Sequence, residues 1–230
     1  AKACHDIDIL NYFIGKHCLA VSSFGSLKHF KKSCKPAGAG KRCLECGYET
    51  KCPYSAKKIY LKGSTEWPVS SITDDLTSEG IKKAVAEGPY GRCVYECDND
   101  VVDHQVVNML YEDEITVSFT MCAFNPFVGR RTRIMGTLGE LTGNRSTFDV
   151  YDFLTDETTH YDPSEELEAT GHGGGDFGIM KDFVAAVAAE DPSMVSTGPD
   201  ETLESHLVVF AAEKARLEGT VVDVRQFVKG

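Results

Sequence analysis

From residue 101 onward, hydrophobic and polar residues alternate, and this pattern limits the possible folds more than any other feature of the sequence. In EITVSFTMCA (114–123) one face is apolar and the other carries mainly hydroxyl groups. The two sets are Ile115, Val117, Phe119 and Met121 on the apolar face, and Thr116, Ser118, Thr120 and Cys122 on the other. Successive side chains of a β-strand point to opposite faces, so the segment predicts a strand with one buried face. The segment 101–111 alternates similarly, and the short connection EDE predicts an antiparallel hairpin.

The remaining segments supply helices that could cover one side of such a sheet. Apolar spacing and stop signals predict helices at 1–15, 53–62, 78–88, 176–190 and 202–218. An antiparallel sheet commonly packs one face on the core and leaves the other open. We therefore predict an α+β fold, an open and mostly antiparallel sheet with helices packed on one face. The open face is then available to a ligand, a partner domain or a second copy of the chain.

Two further strand predictions follow from the second half of the chain. Residues 131–138 and 146–154 predict a second antiparallel pair around the turn ELTGN. The acidic, polar stretch 155–171 predicts a loop. The closing segment VVDVRQF predicts a strand at a sheet edge.

Composition narrows the class of protein. The 230 residues suit a single domain, 1–230, and the net charge of −11 argues against nucleic acid or an anionic membrane as partner. No apolar run reaches the roughly 20 residues that a membrane helix needs. Nine cysteines cannot all pair within one chain, which favours a reducing, cytoplasmic setting. The sequence begins at Ala1 inside a helical pattern, so we expect it to be a fragment of a longer protein.

His5 lies at the start of the first predicted helix, three residues before Asp8. Residues three apart are neighbours on a helix surface. A carboxylate beside an imidazole can fix its tautomer and orientation, as a general acid or base requires. The alternative is that His5 caps a surface helix and Asp8 is merely solvated.

The basic, glycine-containing loop 31–53 holds Cys43, Cys46 and Cys52 at C-x2-C-x5-C spacing, with Cys34 upstream. Two thiolates at C-x2-C suit one tetrahedral zinc ion, and a loop with little core of its own gains from such a link. These four cysteines are therefore a candidate structural zinc site. Reduced thiols in an ordered loop, a disulfide or an iron–sulfur cluster are the alternatives.

The segment HGGGDFG (172–178) formally contains G-x-G-x-x-G, followed by a predicted helix with Asp176 as its N-cap. A dinucleotide site would need a strand before it and a βαβ unit around it, and the sequence predicts neither. The glycines more plausibly let backbone approach a substrate closely beside His172.

Six motifs, in order, together resemble one known family. They are KACHDID, RCLECGYETKCPYSAKKIY, GPYGRCVYECDND with VVDHQ, GRRTRIMGTLGEL, HGGGDFGIMKDF and ESHLVVFAAEKARLEG. They are similar to the carboxy-terminal domain of the glucose–fructose oxidoreductase / inositol dehydrogenase (Gfo/Idh/MocA) family, in a branch with a cysteine-rich insertion. The resemblance implies a two-domain enzyme whose amino-terminal Rossmann domain binds NAD or NADP. The second domain would supply substrate contacts and the interface of a homodimer or tetramer.

The resemblance also implies roles for particular residues. His5 would be the acid/base for a hydroxyl of a sugar or cyclitol. Lys2 would polarise that hydroxyl or relay its proton, because Ala1 stands at the position where the family usually has an aspartate. The implied substrate-binding residues are Arg92, Asp98, Asn99, His104, His172 and Asp176. This chain carries no Rossmann pattern, so we expect it to be inactive alone. Two other functions stay open: an NAD-dependent glycosidase of the same fold, and a non-catalytic sugar- or protein-binding domain.

Overall fold

The computed structural model describes residues 3–126, 129–144, 146–163, 174–195 and 197–227. The chain divides into two units. The first unit comprises Ala1–Gly15 with Asn125–Val209, and the second comprises Lys16–Phe124 with Phe210–Gly230. The predicted α+β class and the antiparallel strands are confirmed, and the strands form two four-stranded sheets. No helix within the described ranges has the length and apolar character needed to cross a lipid bilayer.

The second unit is built on an antiparallel sheet of order β3-β2-β1-β8. Its strands are β1 (Cys18–Ser26), β2 (His104–Tyr111), β3 (Thr116–Cys122) and β8 (Val222–Asp223). The register sets Val107 opposite Ser23 on one side and Phe119 on the other. The predicted hairpin of β2 and β3 is therefore confirmed.

The two faces of this sheet differ as the alternation predicts. On one face Val21, Val107 and Met109 are almost completely buried. The hydroxyl-bearing residues of β3 lie on the other face and are exposed. That face also presents apolar side chains, with Phe24 72% exposed and Leu110 41% exposed. The open face is thus partly apolar as well as hydroxyl-rich.

Short helices complete the second unit: α2 (Ala56–Tyr60), α3 (Ser78–Glu87), α6 (Val224–Phe227) and the end of α5 (Pro199–Glu218). The N-cap of α3 is Thr77, whose Oγ1 accepts a hydrogen bond from the Gly80 N–H at 3.1 Å. The helix buries Ile81 and Val85.

The predicted closing strand is shorter than expected. Only Val222–Asp223 pair with β1, at the edge of the sheet, and α6 follows at once. The Asp223 carboxylate accepts hydrogen bonds from the N–H groups of Arg225 (3.0 Å) and Gln226 (3.4 Å). This side-chain capping starts a helix where the apolar residues alone favour a strand.

The first unit contains α1 (Cys4–Ile14), which ends at Gly15 with a left-handed φ of 63°, and α4 (Gly175–Ala189). Its sheet is a meander of order β4-β5-β6-β7. The strands are β4 (Thr132–Met135), β5 (Gly139–Gly143), β6 (Phe148–Asp152) and β7 (Glu157–Tyr161). The predicted pairing of 131–138 with 146–154 is wrong, because the supposed turn ELTGN is mostly strand β5, and part of the predicted loop 155–171 is β7.

Candidate functional site

His5 is exposed on the first turn of α1, in the first unit. Among the described residues no hydrogen bond joins it to Asp8, so the expected imidazole–carboxylate pair is not formed. The neighbouring carboxylate of Asp6 instead accepts a hydrogen bond from Arg130 Nε at 2.6 Å. Asp6 also suits the positive end of the helix dipole. The helix start is therefore held in place while the imidazole of His5 stays accessible.

Asp103, in the second unit, has a buried carboxylate, and the residue is only 3% exposed. It accepts hydrogen bonds from the backbone N–H groups of Lys28 (3.0 Å), His29 (2.6 Å) and Phe30 (3.2 Å). Its Oδ1 also lies 2.9 Å from Nδ1 of His104. Burial alone would raise the pKa of Asp103, but the hydrogen bonds from His104 and these three amides outweigh burial and hold the pKa well below its usual range.

His104 gains a fixed orientation from this contact. Because Asp103 is the acceptor at Nδ1, the neutral ring carries its proton there and leaves Nε2 as an acceptor. The His104 side chain is 44% exposed, so this second nitrogen can meet a ligand. The predicted role of His104 in substrate binding is compatible with this geometry and stays a prediction.

Aromatic side chains cluster around His29, which belongs to the loop 28–30 that binds the Asp103 carboxylate. The ring of His29 makes edge-on contacts at 5.2–5.5 Å with Phe30, Tyr54, Tyr95 and Phe124. The Tyr95 hydroxyl lies 3.0 Å from Nε2 of His29. Burial raises the pKa of Tyr95 to about 12, so its hydroxyl is neutral at physiological pH. The cluster fixes the loop that surrounds Asp103.

The other predicted polar residues of the second unit lie at the surface. Arg92 Nη1 is 3.2 Å from Asp98 Oδ1, and both side chains, with Asn99, are exposed. Within the described residues no contact joins this pair to His104. The structure therefore brings Arg92 and Asp98 together and leaves His104 with Asp103.

The last predicted site residues divide between the first unit and the undescribed ranges. Asp176 lies in the first turn of α4, but the N-cap is Gly174, which has a left-handed φ of 90°, and not Asp176 as predicted. Lys2 and His172 lie outside the described residues. An open depression of about 440 Å³ in the first unit is lined by polar side chains such as Thr132, Thr142 and Asp149, and by none of the predicted residues.

The cysteine loop contacts a segment that is distant in sequence. An antiparallel bridge between Arg42 and Arg92, with a 2.8 Å bond from the Cys93 N–H to the Lys41 carbonyl, brings Cys93 to the C-x2-C segment. Burial, followed by the proximity of Cys52, Cys93 and Cys46, raises the pKa of the Cys43 thiol. Cys34 instead donates to the Lys28 carbonyl at 3.2 Å.

Zinc itself is not supported by the side-chain positions. Across the described ranges, no three His, Cys, Asp or Glu side chains are arranged to hold a metal ion, and the cysteines of this part are free thiols. The predicted set Cys34, Cys43, Cys46 and Cys52 is therefore not assembled. Instead, the sulfur atoms of Cys34, Cys43 and Cys46 make separate hydrogen bonds with the backbone of Lys28, Ala56 and Gly40.

Sequence reasoning did not single out Asp103, Tyr95 or Cys93, and considered His29 only as a substitute for Cys34 in the predicted metal site. Asp103 carried a usable signal, since a charged residue on the core-facing side of an alternating strand must be paired. Tyr95, His29 and Cys93 carried no comparable local signal, because their neighbours come from distant segments.

No protein-family model matches the chain. The Bacillus subtilis (strain 168) protein named as oxidoreductase YteT is 25% identical over 198 residues, which cover 79% of this chain and 45% of that protein. The chain thus spans about half the length of the curated relative that it matches.

Solved structures show the same partial coverage. A structure from Desulfitobacterium hafniense, described as an NADPH-dependent oxidoreductase, matches 98% of this chain and 47% of its own, with 12% identity and a TM-score of 0.55. The aldose–aldose oxidoreductase of Caulobacter crescentus matches 96% of this chain and 45% of its own, with 11% identity and a TM-score of 0.53. The chain is therefore similar in sequence to about half of the Bacillus subtilis protein and shares its fold with about half of each of these solved oxidoreductases.

Proposed function

We propose that this chain is the substrate-binding and subunit-contact domain of an NAD(P)-dependent oxidoreductase that acts on a hydroxyl group of a sugar or cyclitol. The observation that carries the proposal is the coverage, because nearly the whole chain aligns with only about half of each matched oxidoreductase. The other half would supply the nicotinamide site. One structural match is described as NADPH-dependent and another as acting on aldoses, which supports both the cofactor class and the substrate class.

The described residues of this chain do not fit a dinucleotide. Gly175 and Gly178 lie inside α4 and not in a turn between strand and helix. When bound by the rest of the protein, a nicotinamide supplies hydride transfer. The contribution of this chain is then proton transfer and substrate orientation.

His5 fits the proton-transfer role because its imidazole is exposed on a helix end that the Asp6–Arg130 pair stabilises. Oxidation of a secondary alcohol releases the hydroxyl proton as the hydride leaves carbon, and an imidazole is suited to accept it near neutral pH. Lys2 would polarise the same oxygen or relay the proton. Arg92, Asp98, Asn99, His104, His172 and Asp176 would contact other hydroxyl groups.

Because the proposed nicotinamide site lies in the other half of the protein, we expect purified residues 1–230 to show no NAD(P)-dependent turnover. The full-length protein should show it. The measurement is nicotinamide absorbance with a panel of sugars and cyclitols, under matched protein concentrations. A steady rate from residues 1–230 alone would contradict the proposed location of the cofactor site.

The open sheet face of the second unit supports the proposed subunit contact. Phe24, Leu110 and the hydroxyls of β3 are exposed there, and the face is a candidate for pairing with a second copy. Ser118 lies on the edge strand β3, opposite Asn108 of β2. We expect the protein to be a dimer or tetramer by light scattering, and Ser118→Arg to shift it toward monomer.

The matched control is Ser64→Arg, which adds the same charge to an exposed loop of the same unit. It should leave the mass unchanged. A monomeric wild-type protein at tens of micromolar, or equal effects of both substitutions, would refute the interface.

A further inference from the structure

We propose that Asp103 is a positioning residue that keeps His104 as a hydrogen-bond acceptor, so that the substrate must present a hydrogen-bond donor, such as a free hydroxyl group, at this place. This role rests on the proposed function, in which His104 contacts the substrate, and it adds which chemical group that contact selects. An ether, a carbonyl or a carboxylate has no donor and would gain nothing from His104 in this state. The hydrogen bonds around the Asp103 carboxylate support this role.

The two oxygen atoms of Asp103 have different partners. Oδ2 accepts hydrogen bonds from the backbone N–H groups of Lys28 (3.0 Å), His29 (2.6 Å) and Phe30 (3.2 Å). Oδ1 lies 2.9 Å from Nδ1 of His104 and 3.1 Å from the Lys28 nitrogen. Rotation of the carboxylate would leave the three N–H groups of the loop 28–30 without their acceptor, which is unfavourable. Oδ1 is therefore held facing the His104 ring.

The charge of Asp103 decides which nitrogen of His104 carries the proton. Burial opposes ionisation of Asp103, but the hydrogen bonds from His104 and from the loop 28–30 outweigh it and hold the pKa below its usual range. An ionised carboxylate only accepts hydrogen bonds, and a neutral imidazole has one donor and one acceptor nitrogen. In the neutral ring, Nδ1 therefore carries the proton and Nε2 is the acceptor.

The acceptor nitrogen of His104 is accessible at one end of the open sheet face. His104 is the first residue of β2 and lies opposite Ser26 of β1 and Cys122 of β3, which are both exposed. The His104 side chain is 44% exposed, and among the described residues it has a hydrogen bond at Nδ1 but none at Nε2. A ligand on this face can therefore donate a hydrogen bond to Nε2.

This contact is compatible with the proposed subunit contact on the same face. Ser118 pairs with Asn108, which lies four residues along β2 from His104. A strand rises by about 3.4 Å per residue, so the two positions are about 13 Å apart. A small ligand at His104 and a second copy of the chain at Ser118 can thus occupy different parts of the face.

The substitution Asp103→Asn separates the positioning role from the structural one. The Asn side-chain oxygen can take the place of Oδ2 and accept from the N–H groups of the loop 28–30, with its NH₂ group then facing Nδ1 of His104. Nδ1 must accept from that NH₂ group, so the ring proton moves to Nε2. The variant keeps the acceptor of the loop and turns Nε2 from an acceptor into a donor.

The first measurement is ¹⁵N NMR of histidine-labelled full-length protein at the pH of the activity assay, with His104→Gln to assign the signals. We expect Nε2 of His104 to be unprotonated in the wild type and protonated in Asp103→Asn. A proton on Nε2 in the wild type, in the neutral ring or in the imidazolium, would overturn the role of Asp103. The same proton position in both proteins would also overturn it, and neither result depends on a substrate.

The second measurement is the binding of substrate analogues to the full-length protein. The parent compound is the sugar or cyclitol that gives turnover, and in each analogue one hydroxyl group is replaced by fluorine, which cannot donate a hydrogen bond. At one position, the wild type should bind the analogue about tenfold more weakly than the parent compound. Asp103→Asn should bind the same analogue within about threefold of the parent compound, because Nε2 then no longer requires a donor.

The matched control is Asp74→Asn, which removes the same charge from an exposed loop position of the same unit and should leave every affinity ratio unchanged. Equal ratios in Asp103→Asn and the wild type, despite turnover by both, would contradict the role of Asp103 and leave the proposed function intact. Absence of wild-type turnover on every sugar and cyclitol would instead contradict the proposed function, and with it the substrate contact of His104.

Discussion

Replacement of His5 by alanine in the full-length protein is expected to lower kcat by about 10²- to 10⁴-fold and to change KM much less. A positioned general acid or base contributes a factor of this size, because it transfers the proton in the transition state. The same group contributes little to ground-state affinity, so kcat and kcat/KM should fall together. Steady-state kinetics on the substrate that gives turnover, in both directions, measures both constants.

The control for this variant is His160→Ala. His160 belongs to the same unit, lies exposed on β7 and pairs with Asp149 at 2.6 Å, away from α1 in sequence. It tests whether loss of any surface histidine of the first unit impairs the enzyme. Equal losses in the two variants, or an unchanged kcat in His5→Ala, would reduce His5 to the role of a surface helix residue.

Replacement of Asp103 by alanine is expected to destabilise the protein by about 3 kcal/mol, which for a chain of this size lowers Tm by roughly 6–12 °C. The substitution leaves the N–H groups of Lys28, His29 and Phe30 without their acceptor. It also frees the His104 ring. Thermal and denaturant unfolding measure the loss, provided that the transition of the second unit is followed.

The contribution of Asp103 should depend on pH in a defined direction. Its folded-state pKa lies below the unfolded value of about 3.9, so the carboxylate form favours the folded state. The stability difference between wild type and Asp103→Ala should be constant from neutral pH to about pH 5. It should shrink as the pH falls below about 4, toward the lowered folded-state pKa.

The control substitution is Asp98→Ala, which removes an exposed carboxylate from the same unit. Exposed ion pairs contribute little to stability, so we expect Asp98→Ala to change the free energy of unfolding by less than about 0.5 kcal/mol. If Asp103→Ala is no more destabilising than Asp98→Ala, the loop 28–30 is held by something other than this carboxylate.

The sequence predicted the parts of the fold that depend on neighbouring residues. The hairpin of β2 and β3 follows from alternation on both sides of a short connection, and the structure has the predicted faces. The helix predicted at 1–15 ends at Gly15, which adopts a left-handed conformation.

The meander of the first unit was missed because its turns depend on side-chain hydrogen bonds. Asn144 Oδ1 accepts from the N–H groups of Ser146 and Thr147, and Asp152 Oδ1 accepts from those of Leu154 and Thr155. These interactions reverse the chain every few residues, which leaves room for strands between them. Apolar periodicity alone cannot reveal turns that polar side chains define.

The candidate site could be predicted only where a motif is local. The C-x2-C-x5-C spacing predicted a zinc site that the described side-chain positions do not form. The bridge between Arg42 and Arg92, which sets Cys93 beside this loop, is encoded by no local pattern. His5 was singled out by resemblance, and no hydrogen bond joins it to Asp8 in the described part of the chain, where the ion pair at the helix start is Asp6 with Arg130.

The measurement that tests the central proposal most directly is the net formation of NADH or NADPH by the full-length protein. Cyclitols, and sugars with and without a leaving group at the anomeric carbon, should be supplied with NAD or NADP while the released leaving group is followed in parallel. We predict reduced nicotinamide in a one-to-one ratio with an oxidised product. Release of the leaving group without net reduced nicotinamide would identify a glycosidase, and binding of sugars without either product would identify a binding domain; each result would contradict the proposed function.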